Sequence, residues 1–262
     1  MRLTVLILVF LSMAIAAATR PAVVAISGGD LTPFWITTKD KSGQVESIKI
    51  EPFEAQVFPV TNSEFLEFLK SHPQWRKSKV KSLFADSGYL NQFKSDLKLK
   101  PEAKKGAPVT NISWFAAQAY CENQGMRLPT ISEWEYMAAA SESKADASKD
   151  PVFLRKILEW YSQPGEANAL GKIGGRAKNV YGLHDLHGLI WEWTYDFNSS
   201  LVTGEGRTDG SLNRELFCGS GAMAGGNKEN YAAFMRFAFR SSLKGASTTW
   251  NLGFRCVRGE PQ

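Results

Sequence analysis

Periodic signals are few and short in this sequence, and that shortage constrains the fold most. Three helices are expected. Thr61-Asn62-Ser63-Glu64 reads as a capping box, in which the threonine accepts from a first-turn amide and the glutamate reaches back. Phe65, Leu66, Phe68 and Leu69 then form an apolar face that His72-Pro73 ends, which puts His72 at the surface. A second helix starts at Ser113 with Trp114, Ala117, Tyr120 and Cys121 on one stripe and ends at Gly125. A third opens on another capping box, Thr130 to Glu133, and runs through Trp134 and Met137 into Ala138 to Ala140. Core packing is what such stripes do.

Strand signals are weaker still: Ala22 to Ser27, Ser47 to Ile50 and Gly253 to Val257. Ser141 to Asp150 reads as a solvated loop, and the mixed-charge run from Lys77 to Lys105 reads as a solvated surface. Eight tryptophans and twenty-two glycines suit such a chain, because large rings can pin irregular backbone that no ladder holds. There is no repeat at solenoid or propeller period and no linker, so one domain is expected over residues 19–262.

Met1-Arg2, then an uncharged run from Leu3 to Ala18 ending in small residues, has the layout of a cleaved signal peptide, residues 1–18. No later run is apolar for long enough to span a bilayer, so a periplasmic or secreted protein with no stable membrane anchor is expected. The net charge of +5 is too small to argue for nucleic acid. Three cysteines in an oxidising compartment imply one disulfide and one odd thiol.

Four ordered motifs carry the rest. They are Phe58-Pro59-Val60-Thr61-Asn62-Ser63-Glu64-Phe65; Pro108 to Cys121 with Arg127 to Tyr136; Asn179 to Trp193; and Arg236 to Arg240 with Asn251 to Cys256. Their order and wording closely resemble the formylglycine-generating enzyme, or sulfatase-modifying-factor, family over about residues 26 to 257. The resemblance implies an α+β, single-domain variant of the C-type-lectin-like fold with little regular secondary structure. It also implies a disulfide between Cys121 and Cys256, leaving Cys218 as the odd thiol.

Departures from the family pattern bear on function. The family's oxidases hold copper through two cysteines five apart, and copper(I) needs soft thiolates. Counting back from Arg240 and Arg236 places those positions at about Asn227 and Ala232, neither of them cysteine. Copper could then be held only through a site the family does not use. At the family's calcium position Leu189 replaces an asparagine while Glu192 persists, which makes calcium doubtful. A buried Glu192 would need a partner, and an ion pair with Arg240 or Arg255 is favoured over metal ligation. His184 and His187 could form a metal pair, but the bracketing Gly182 and Gly188 favour a hydrogen-bonding turn.

The wording from Asp185 to Asn198, with Phe217-Cys218-Gly219 and Tyr231 to Arg236, resembles a cysteine-poor branch, the nitrite-reductase accessory proteins. On that reading Cys218 is either a thiol or soft-metal site or a buried small hydrophobe. Two functions follow from the resemblance. One is a non-oxidase accessory or binding protein whose groove takes an extended peptide or a partner protein such as a periplasmic copper enzyme. Gly219, Ser220, Asn227, Tyr231, Arg236 and Arg240 would line that groove. The other is a periplasmic oxidoreductase of the same superfamily with a different redox centre. Formylglycine-generating activity itself is not expected.

Overall fold

The computed structural model describes residues 21–32, 43, 46–162, 170–198 and 228–261. The expected signal peptide, Cys218, Gly219, Ser220 and Asn227 lie outside the described residues. Among the described residues, nine strands of two to four residues form one three-stranded and three two-stranded sheets. In chain order the strands are β1 (Val23–Ile26), β2 (Gly29–Leu31), β3 (Ile48–Ile50), β4 (Phe53–Gln56), β5 (Phe93–Ser95), β6 (Lys98–Leu99), β7 (Trp191–Glu192), β8 (Leu252–Gly253) and β9 (Val257–Arg258). The largest sheet has the order β1-β4-β9, all antiparallel. Pairing β4 with β9 ties the N-terminal part of the chain to its last strand, with Ala55 opposite Val257.

The three expected helices form where the local signals put them: α1 (Asn62–Ser71), α2 (Trp114–Asn123) and α3 (Ile131–Ala138). Both capping boxes are closed. In the first, the Glu64 amide donates to Thr61 Oγ1 at 3.2 Å and Glu64 Oε2 accepts from the Thr61 amide at 2.8 Å. Thr130 and Glu133 repeat the pattern, and Arg127 adds two bonds of 2.7 Å to the same carboxylate. Ser113 caps α2 by accepting from the Ala116 amide.

Two further helices, α4 (Pro151–Ser162) and α5 (Lys228–Ser241), were not anticipated. The signal for α4 was present. Asp150 accepts from the amides of Val152 and Phe153 ahead of a proline in the first turn, where a missing N–H costs nothing. The strand expected over Gly253 to Val257 is corrected: its ends lie in β8 and β9, and Phe254, Arg255 and Cys256 bridge two different sheets. His72 is also corrected, because its ring is half-buried and stacks on Phe68 at 4.3 Å.

The main core gathers Phe65, Phe68, Leu90, Phe93, Ile112, Leu128, Trp193 and Phe254 around α1 and α2. Cys121 and Cys256 are bonded within it, Cα to Cα 5.5 Å, across a sequence separation of 135. Chain entropy for so long a loop amounts to about 4 to 5 kcal/mol in the usual estimate. A second cluster joins Ile26, Ile50, Phe53, Trp134, Met137 and Leu183 between the sheets and α3.

Tryptophans hold the irregular stretches, since the indole N–H can satisfy a carbonyl that no ladder reaches. Trp193 Nε1 donates to the Ile112 carbonyl at 2.7 Å, and Trp114 Nε1 to that of Thr194 at 2.9 Å. Glycine is required where β8 passes the preceding motif: a Cβ on Gly253 would sit 2.3 Å from the Val109 carbonyl oxygen.

Candidate functional site

The chemistry-bearing residues of the later motifs meet in one buried polar array built on Trp134. On α3, Glu135 directly follows that tryptophan and accepts from two arginines of α5. Arg236 Nε lies 2.9 Å and 3.0 Å from the two Glu135 oxygens, and Arg240 Nη1 lies 2.7 Å from Oε1. Four-residue spacing puts both guanidinium groups on one side of α5, so a single carboxylate can hold both. Their charged ends also lie over the Trp134 ring, with Arg240 4.8 Å from its centroid. Tyr161 of α4 accepts from Arg236 at 3.3 Å.

On the other side of Trp134, its Nε1 donates to Glu192 Oε2 at 2.8 Å. Arg255 takes the same glutamate in a two-bond fork, Nε to Oε2 and Nη2 to Oε1, each 2.8 Å. Neither side chain has any exposed surface. Arg255 spends its other donors on the carbonyls of Gln56, Val57 and His184. Arg255 is therefore the partner of Glu192, and Arg240 belongs to Glu135.

This arrangement decides the metal question at Glu192. Both of its oxygens are committed to donors, Arg255 supplies a cation already, and Leu189 offers no side-chain oxygen, so the residues do not fit a calcium ion. Nor do the histidines converge. His184 stacks on Phe58 at 4.9 Å with Nδ1 2.8 Å from the Arg176 carbonyl, while His187 sits edge-on to Trp134 and Phe153. Among the described residues no three His, Cys, Asp or Glu are placed to hold a metal ion. Copper fares the same at Ala232, which has no sulfur and is a buried residue of α5.

Of the residues expected to line a recognition groove, Tyr231, Arg236 and Arg240 fall among the described residues. Arg236 and Arg240 are 8% and 6% exposed and share the one carboxylate of Glu135, which turns both guanidinium groups inward. Tyr231 stands on the first part of α5 instead of a loop and is 38% exposed. The functional residues that sequence reasoning missed are Glu135, Trp134 as a shared platform, and α4, whose Trp160 and Tyr161 pack on Trp191 at 5.2 Å each.

His187 is the group in this array left with an unused polar atom. Its Nε2 lies 2.8 Å from the Ala138 carbonyl, which can only accept, so Nε2 carries the proton and Nδ1 keeps its lone pair; Nδ1 is buried and has no partner among the described residues. The same residue lines a cavity of about 490 Å³ between α4, the loop after α3 and the segment from Arg176 to Gly188. Phe153, Ile157 and Trp160 supply its apolar wall, and Glu142, Asp150, Asp185, Lys156 and Arg176 its charge.

Burial, and then the Arg236 charge, push His187 down to about 4 from the ordinary 6.5. A base whose folded pKa is depressed binds fewer protons folded than unfolded, so its contribution to stability is whole above 6.5 and disappears as pH falls from there toward 4. His187→Gln should therefore flatten the fall of the melting temperature between those values, while the wild-type chain keeps it. An unchanged slope would reject the role given to this imidazole.

A buried ion-pair array joins short capped helices in a scaffold of mixed α and β structure, and no metal cluster is formed among the described residues. Residues 11–260 match the sulfatase-modifying factor enzyme 1-like domain, and the chain belongs to that family. It is 25% identical to the inactive Cα-formylglycine-generating enzyme 2 of Bos taurus over 84% of this chain and 82% of that protein. The formylglycine-generating enzyme of Streptomyces coelicolor is 26% identical, over 83% and 82% of the respective chains. Among solved structures, that of PvdO from Pseudomonas aeruginosa aligns over 91% of this chain and 94% of that one, with 16% identity and a TM-score of 0.48.

Proposed function

We propose that this chain is a non-oxidase accessory member of its family, exported to the periplasm, where it assists maturation of a copper enzyme such as a nitrite reductase. The observation that carries the non-oxidase part is the buried alanine at 232, where counting from the arginines puts one of the two copper-binding thiols. One remaining free cysteine cannot supply the sulfur pair. Similarity to a relative whose name calls it inactive supports the same reading. The wording from Asp185 to Asn198 supports the narrower assignment, and the leading apolar run with its small-residue end supports export.

The test has two readouts. Incubated in air with copper and a cysteine-containing sulfatase-type peptide, the purified protein should leave the peptide mass unchanged and consume no oxygen. Conversion of the thiol to an aldehyde would reject the non-oxidase reading. Deleting the gene in a host that makes a periplasmic copper nitrite reductase should lower that enzyme's copper content; full loading without the chain would reject the maturation role.

A further inference from the structure

Between Arg76 and Lys105 stand nine cationic residues and three carboxylates, an excess larger than the +5 of the whole chain. None of the nine joins an ion pair among the described residues, although other surface lysines such as Lys49, Lys70 and Lys144 do. Two of the three carboxylates are occupied by neutral donors. Asp96 accepts from the amide and hydroxyl of Ser78 at 2.8 Å and 2.7 Å, and Asp86 accepts from the amides of Gly88 and Thr248. Arg76 and Lys77 are held by backbone carbonyls, whereas Lys79, Lys81, Lys94 and Lys98 are exposed to solvent.

The same region carries the most exposed large apolar side chain among the described residues, Leu83, at 74%. It stands at the tip of a turn closed by the Phe84 amide on the Lys81 carbonyl, 2.8 Å apart. The turn is anchored from behind, because the Phe84 ring packs edge-on against Trp75 and Phe115. Leu97, 41% exposed, lies between the paired strands β5 and β6, between Lys94 and Lys98. The Ser78–Asp96 clasp draws the start of the Leu83 segment onto this hairpin.

We infer that this face, with Lys79, Lys81, Leu83, Lys94, Leu97 and Lys98, docks reversibly on a bilayer rich in anionic phospholipid. Unpaired lysines are attracted to phosphate headgroups, and their flexible stems let apolar neighbours sink to the acyl boundary. An apolar tip on an anchored turn loses little conformational freedom on insertion, whereas a purely polyanionic partner would leave Leu83 without a role.

Pelleting with vesicles tests this. The full chain and its variants share one N-terminus, so the leading apolar run contributes equally to each. Binding is expected to phosphatidylglycerol-containing vesicles at low salt, to weaken as salt rises, and to be much reduced on pure phosphatidylcholine. Lys79→Gln and Lys81→Gln should each weaken it by about fivefold, and Leu83→Ser by about tenfold, with melting temperatures unchanged because all three side chains are exposed. Absence of binding to anionic vesicles would overturn the inference. So would equal affinity for the neutral ones, or binding untouched by Leu83→Ser, which would mark a general polyanion site such as one for nucleic acid or an acidic protein.

Discussion

Replacing Arg255 by methionine should lower the free energy of unfolding by about 3 to 5 kcal/mol, measured by urea denaturation at neutral pH. The size comes from what is left behind more than from what is removed. Glu192 has no exposed surface, so without the guanidinium its carboxylate keeps one bond from Trp134 and no counter-charge. The carbonyls of Gln56, Val57 and His184 lose a donor at the same time. A double variant, Arg255→Met with Glu192→Gln, should recover part of the loss, since it removes the stranded charge. A loss below about 1 kcal/mol for the single change would show that water or another donor reaches Glu192, and the account of this pair would fail.

Glu135→Ala should be at least as costly, again about 3 to 5 kcal/mol, because it strands two guanidinium groups close together in a dry site. Burial pushes the Glu135 carboxyl up, but the charges of Arg236 and Arg240 and their hydrogen bonds outweigh it and hold the group well below the usual carboxylate range. A carboxyl with a depressed folded pKa gives its full stabilisation above the ordinary value of 4.5 and loses it as pH falls below that. Acid unfolding of the wild-type chain should therefore have two separable parts, one from His187 between 6.5 and about 4 and one from Glu135 lower still. Glu135→Gln should remove the second part and, by taking away a charge that favours the imidazolium, move the His187 part to still lower pH. If its melting temperature fell with pH below 4.5 as steeply as the wild type's, the assignment would be rejected.

How legible these features were depends on how far apart in sequence the interacting groups are. The capping boxes at Thr61 and Thr130 were readable because donor and acceptor lie three residues apart, within one turn. The start of α4 is equally local in Asp150-Pro151, but the charged, aperiodic stretch that leads into it masks the signal. For α5, the arginines of the motif face inward along one helix, a fact that only the position of Glu135, 101 and 105 residues away, makes visible.

Composition and local wording by themselves determined the family, the caps of three helices, the absence of sulfur at 232 and the need of Glu192 for a cationic partner. Each rests on residue identity or on neighbours within a turn. Which cation that partner is, only the tertiary structure decided. Parallel pairing of β7 with β8 sets Glu192 opposite Gly253. Arg255 follows two residues on and reaches Glu192 from there, while the spacing of α5 delivers Arg240 to Glu135 instead. Opposite charges attract at any sequence separation, so a list of residues holds several electrically equivalent pairings, and backbone register in three dimensions selects among them.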